Sequence, residues 1–187
     1  MSDQDIEMDA ADDEWESLIN EANRLYADKR YAQAELLFAA ALRLAEKLVS
    51  KETLSGEPVD EKERDKLRLR LAKSMNNMAA LYHTQGKYTM AEDLWQQCLA
   101  LKTEMYSDQH LEIAINLHNL AVVCSARRKF EKAEEYYKRA LEIRELLLGM
   151  HDKELIPILQ NYALLLQKMN REVEERQIAE RILAIQS

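Results

Sequence analysis

Glycine and proline are scarce, with three of the first and two of the second in 187 residues. Strands joined by tight turns need many more such residues, so long helices with short connections are favoured. No apolar run reaches the about 18 residues that a membrane-crossing helix requires. The opening residues show no basic start followed by an apolar core, so no secretory signal is expected there. Cysteine occurs only as Cys98 and Cys124, with no CxxC spacing. Two buried thiols in a reducing compartment, and with them a cytoplasmic setting, are the expectation. His83, His110, His118 and His151 form neither an HExxH nor another zinc spacing. The isolated glycines make no phosphate loop, and no serine or cysteine sits in a nucleophile motif. The chain is therefore expected to be no enzyme and to carry no metal or cofactor.

What is present is a folded composition, 47% hydrophobic and 32% charged. The formal charge of −8 is concentrated at one end. Residues 1–16 hold eight acids and no base, and the other 26 acids are balanced by 26 lysines and arginines. A neutral body with an acidic end offers no electrostatic footprint for nucleic acid and is repelled by an anionic membrane. Residues 1–11 read as a disordered acidic leader, dispensable for folding.

The chain repeats itself. The segment Met75–Tyr82 realigns with Leu117–Cys124 and again with Leu159–Leu166, each step being 42 residues. A second block, Gly86-Lys87-Tyr88-x-x-Ala91, matches Arg128-Lys129-Phe130-x-x-Ala133 at the same step. An earlier copy, Lys29-Arg30-Tyr31-x-x-Ala34, lies 57 residues upstream, and the excess of 15 falls in Lys51–Asp65, which contains Gly56 and Pro58. Four repeats follow, near 15–50, 66–106, 109–148 and 153–187, in an array over 12–187 with an insertion at 51–65. A fixed period in this range signals a solenoid of stacked units.

Small residues mark each unit. Ala22, Ala79, Ala121 and Ala163 recur in the first helix, Ala34, Ala91 and Ala133 early in the second. Ala41, Cys98 and Ala140 hold a late place in the second. Small side chains there let antiparallel helices approach closely while large neighbours fill the flanks. The large ones recur too: Tyr31, Tyr88 and Phe130 at the turn, then Phe38, Trp95 and Tyr137 two helical turns on. Met75 and Met78 occupy the places of Leu117 and Leu120, which makes them core residues.

This pattern resembles the tetratricopeptide repeat, whose usual period is about 34 residues. A period of 42, with Leu-x-Asn-Leu-Ala in the first helix and Tyr136–Ile143 in the second, is closer to the kinesin-light-chain type. Eight more residues lengthen the helices of a repeat by about 12 Å. The resemblance implies an all-α, right-handed superhelical solenoid of about four helix-turn-helix repeats. Repeat four departs from it: Glu172 and Glu175 replace an aromatic and an alanine, so its second helix is expected to be a polar cap. Helices are predicted at 12–28, 31–54, 60–85, 88–106, 109–127, 130–148, 153–169 and 171–186. Gly86 and Gly149 should close helices, and Pro157 should distort the first turn of the seventh.

The resemblance also implies a concave groove lined by the first helices, which takes a peptide segment or helix of another protein. One place there is asparagine in every copy: Asn20, Asn77, Asn119 and Asn161. Such amides either bridge neighbouring repeats or offer donors and acceptors to an extended backbone; the resemblance favours the second. The expected peptide-binding groove residues are Asn20, Asn23, Asn76, Asn77, His83, His118, Asn119 and Asn161. Some relatives clamp a terminal carboxylate with two lysines and an arginine. In this chain Ile19, Ile115 and Asn119 hold those places, which argues against that role. An adaptor or scaffold is the leading expectation. The alternatives are a chaperone for secreted proteins and a stably assembled subunit. Self-association would run through the C-terminal helix, by way of Ile178, Ile182, Leu183 and Ile185.

Overall fold

The computed structural model of the chain describes the backbone of residues 3–55 and 60–186, and side chains over 10–52 and 60–186. Eight α-helices run through the described residues: α1 Asp3–Ala27, α2 Tyr31–Ser55, α3 Glu61–Thr84, α4 Tyr88–Met105, α5 Leu111–Ala126, α6 Phe130–Leu148, α7 Ile156–Lys168 and α8 Glu172–Gln186. No strand occurs among the described residues. The acidic segment expected as a leader is continuous with α1, which starts at Asp3 and not near residue 12. Of the 51–65 insertion, the first residues prolong α2 and the last prolong α3. Gly56 and Pro58 lie outside the described residues.

Each first helix ends in the same way. Lys29, Gly86, Arg128 and Asn170 have left-handed φ of 60°, 73°, 60° and 58°. The amide of the next residue then reaches back to a carbonyl five places earlier: Arg30 to Leu25, Lys87 to Tyr82, Lys129 to Cys124 and Arg171 to Leu166, at 2.8–3.0 Å. That closure satisfies the carbonyls a helix end leaves open and fixes the angle at which the second helix departs. Glycine relieves the strain in only one of the four. Gly149, at φ 96°, ends α6 as expected. Ahead of α7 the chain makes a 3₁₀ turn, Lys153–Leu155, capped by Asp152, whose carboxylate accepts from the Glu154 amide at 2.7 Å. Pro157 follows within the first turn of α7, where its missing N–H costs least.

The chain divides into two compact units, Met1–Leu94 and Trp95–Ser187, the division falling within α4. In the first, α2 packs against both α1 and α3. Its buried set includes Trp15, Ile19, Ala22, Ala34, Phe38, Ala41, Leu67, Leu71, Met75 and Ala79. The Trp15 indole donates to Ser74 Oγ at 2.9 Å, and Asp12 pairs with Arg70 and, at 2.5 Å, with Lys66.

In the second unit α5 pairs with α6, α7 pairs with α8, and α6 packs on α7. Ile113, Leu117, Ala121, Ala133, Tyr137, Ala140, Ile158, Leu159 and Leu165 form the centre of its core. Ile178 and Ile182 of α8 pack against that core, Ile185 is buried, and Leu183 is exposed. The polar cap expected of repeat four is thus anchored by one helix face.

The alanine places are filled spaces except that of Ala163, which is half-buried beside an open groove. Ala22, Ala34, Ala41, Ala79, Ala91, Ala121, Ala133 and Ala140 are all fully buried. Ala121→Leu should therefore overpack the α5–α6 contact and destabilise the protein by roughly 1–3 kcal/mol, whereas Asn119→Ala should change stability much less. Thermal melts in which both variants match the parent would refute this helix register.

Candidate binding site

The eight expected groove residues lie on the first helices of the repeats. In the Met1–Leu94 unit Asn20 and Asn23 are exposed on α1, and Asn76, Asn77 and His83 are half-buried on α3. Burial holds the His83 imidazole below its ordinary pKa, and its ring lies 5.5 Å from that of Tyr88. In the Trp95–Ser187 unit His118 and Asn119 are half-buried on α5, and Asn161 is half-buried on α7.

Two of these residues are brought together. Asn161 Nδ2 lies 2.9 Å from His118 Nε2, so the amide donates to a neutral ring whose proton sits on Nδ1. Burial, with a further push from the Arg144 cation, lowers the His118 pKa to about 4. The other unit carries the same two repeat places as Ile19 and Asn77. Isoleucine offers no acceptor, and the enclosed Asn77 Nδ2 has no hydrogen-bond partner. One pair of places therefore gives a closed bridge in one unit and an unmatched donor in the other.

A second pair of places is bridged in both units. Tyr26 Oη and Thr84 Oγ1 are 2.7 Å apart, and Lys168 Nζ donates to Ser125 Oγ at 3.2 Å. Tyr26 corresponds to Ser125, and Thr84 to Lys168, in the repeat alignment.

Sequence reasoning missed two further sets. Asn116 is fully buried and donates from Nδ2 to the Trp95 carbonyl at 2.7 Å; its counterpart in α3 is the buried Ser74. Glu134 looks from sequence like part of a solvated face paired with Lys138. That pair exists at 2.7 Å, but the carboxylate also takes the Arg171 guanidinium and the Tyr162 hydroxyl. With Arg171 as the largest cause, this lowers the Glu134 pKa to about 2. In the first unit Glu35 holds Gln85 and Lys87 at 2.9–3.0 Å, which lowers its pKa in the same sense. The signal was legible: glutamate follows the early alanine in repeats one to three, and a base stands 37 residues later, or 52 across the insertion.

His110 is structural: its Nδ1 caps α5 by accepting from the Glu112 amide at 3.1 Å, and its ring stacks on Tyr106. Among the described residues no group of three or more His, Cys, Asp or Glu is placed to hold a metal. Nor is any described helix long and apolar enough to cross a membrane.

A tetratricopeptide repeat family model matches residues 70–146 and a second model of that family matches residues 16–53, together more than half of the sequence. The chain belongs to the tetratricopeptide repeat family. No curated protein sequence matches it. Its fold is similar to that of BtubC (BKLC) from P. vanneervenii, at 20% identity and TM-score 0.72, over 99% of this chain and 74% of that one. It is also similar to kinesin-light-chain TPR-like repeats of Podosopora anserina, at 17% identity and TM-score 0.59, over 91% and 94% of the two chains. The C-terminal TPR-containing domain of a Plasmodium falciparum FK506-binding protein matches at 17% identity and TM-score 0.62, over 87% and 92%. At these identities the likeness concerns the fold, and it includes the kinesin-light-chain type that the 42-residue period suggests. Folds of this family serve generally as scaffolds for protein interaction.

Proposed function

We propose that this chain is an adaptor that binds a segment of another protein along the first helices of its repeats, at the recurring asparagines Asn20 and Asn77 of one unit and Asn119 and Asn161 of the other. The observation that carries the reading is the recurrence of asparagine at one repeat place, with Asn77 holding an unmatched amide donor. A buried donor without an acceptor costs about 1–3 kcal/mol, so a partner carbonyl that reaches it gains more than an ordinary hydrogen bond. Asn161 already donates to His118 and is a weaker candidate. Buried Cys98 and Cys124, which form no disulfide, go with a cytoplasmic location for this adaptor.

The test is to capture a partner, map the bound segment and titrate it against the parent and the Asn77→Ala/Asn119→Ala double variant. At about 0.5–1.5 kcal/mol for each lost bond, affinity should fall roughly 5- to 150-fold. Equal affinities, with both proteins folded, would move the binding surface elsewhere.

One observation favours the assembled-subunit reading as a second. Leu164, Val173 and Leu183 of the last repeat are 55%, 72% and 66% exposed. Beside them a groove of about 400 Å³ is lined by Asn161, Ala163, Leu164 and Ile182 among others. If this face joins copies of the chain, Leu164→Glu/Leu183→Glu should shift sedimentation to the monomer; an unchanged monomeric profile in the parent would remove the reading.

A further inference from the structure

We infer that the open face of α7 and α8 is the seat of an amphipathic helix from a partner protein, placed there as α7 is placed on the repeat before it. The inference rests on the reading of this face as an assembly surface and gives the face a different occupant. α7 packs on α6 through Tyr162, whose hydroxyl donates to Glu134 and whose ring lies 5.8 Å from that of Tyr137. Leu155, Ile158 and Leu165 stand at helical spacing from Tyr162 and are buried in the same core. The residues 42 places before the open face are covered in that packing: Ala121 and Leu141 are buried, and Val122 packs against the core. Their counterparts differ, for Ala163 is half-buried and both Leu183 and Leu164 are exposed. A groove of about 400 Å³ results, with Ala163, Leu164, Gln167 and Ile182 in its lining.

The repeats themselves show what such a seat selects. The four places of Leu155, Ile158, Tyr162 and Leu165 are buried in α3 and α5 as well, and at least three of the four are apolar in each helix. In α1 the same places hold Glu14, Ser17, Glu21 and Arg24, all exposed. A second copy of the chain therefore has no first helix with this face to offer: it is charged in α1 and already buried in α3, α5 and α7. The occupant that fits is a helix of another protein with apolar residues at i, i+3, i+7 and i+10, the spacing of the four places. Glu175 brings a carboxylate to the groove in the place of Ala133, so the occupant also gains from a base opposite it.

The probe is an end-blocked peptide with the sequence of residues 153–168, which as α7 already fills a seat of this kind. A control peptide carries the residues of α1 at the four places: Leu155→Glu, Ile158→Ser, Tyr162→Glu and Leu165→Arg. Amide NMR on the full chain should show saturable shifts at Ala163, Leu164, Gln167 and Ile182 with the probe and none with the control. Leu164→Glu/Leu183→Glu should weaken probe binding at least about tenfold and leave melting unchanged, because both side chains are exposed. Asn77→Ala/Asn119→Ala should bind the probe as the parent does. Equal binding of the control, shifts confined to Ala121 and Val122, full binding by the Leu164/Leu183 variant, or loss in the asparagine variant would overturn the inference. So would a parent that binds no probe, sediments as a dimer and becomes monomeric with Leu164→Glu/Leu183→Glu; the occupant is then a second copy, and the assembled-subunit reading stands without this one. A monomeric parent that binds the probe removes the copies and supports the partner helix.

Discussion

Tyr137→Ala should cost the protein about 3–5 kcal/mol of stability, more than the overpacking at Ala121. Tyr137 is 1% exposed, and its ring lies 5.8 Å from that of Tyr162 and 6.0 Å from that of His118. It therefore joins α5, α6 and α7. Neighbours held by well-buried helices can close only part of the space that an aromatic ring leaves, so a cavity term adds to the lost transfer energy. Tyr137→Phe keeps the ring and should retain most of the stability. Leu147→Ala, one helix face away and 46% exposed, should stay within about 0.5 kcal/mol. Denaturant titrations of the three variants check this; a loss below about 1 kcal/mol for Tyr137→Ala would mean that the second-helix aromatics are not keystones of the repeat.

The keystone places were readable because packing repeats with the chain. Phe38, Trp95 and Tyr137 share one place and are each at most 4% exposed. A solenoid asks the same shape of each copy, so sequence period and contact period coincide. Helix bounds were readable to within a residue or two at most joints, for the same reason. The exception was α1. Residues 1–11 read as a leader, yet α1 already starts at Asp3, and Asp12, where the array was expected to begin, is tied to Lys66 and Arg70 of α3. Partners 54 and 58 residues away leave no local signature.

The candidate site was legible in its members and not in their bonding. Periodicity selects Asn77 and Asn161 as equivalents but does not reveal that Asn161 is bridged to His118 while Asn77 Nδ2 has no hydrogen-bond partner, isoleucine standing at the repeat place that His118 fills. That difference follows from the residue one repeat earlier, and only superposed copies expose it. Glu134 shows the same limit: i,i+4 spacing to Lys138 is visible along a helix, whereas Arg171 and Tyr162 arrive from the next repeat. The Glu35 and Glu134 clasps each tie a second helix to the turn of the following repeat, in separate units. Charge within a repeat thus looks solvated in sequence while part of it holds repeats in register.

His118 makes that register sensitive to acid. Its pKa falls from 6.5 to about 4 in the folded chain through burial and then through Arg144. A depressed value means that the unfolded chain takes up the proton first. The stabilisation is therefore complete above about pH 6.5, declines as pH drops towards 4, and is exhausted below it. The hydrogen bond gives an independent reason for the same sign. A protonated ring would turn an N–H towards the Asn161 amide, setting donor against donor across 2.9 Å. The separation of the two pKa values corresponds to about 3 kcal/mol lost between pH 7 and pH 4. Carboxylates add their own acid losses, with Glu134 contributing mainly below pH 4.5 as its pKa is held to about 2. His118→Gln separates the effects, because glutamine keeps an acceptor for Asn161 but takes no proton. Urea titrations at several pH values should show the parent losing about 3 kcal/mol more than this variant over pH 7 to 4. Parallel pH profiles for the two proteins would show that His118 is solvated in the folded chain, and would open the His118–Asn161 bridge to a partner peptide.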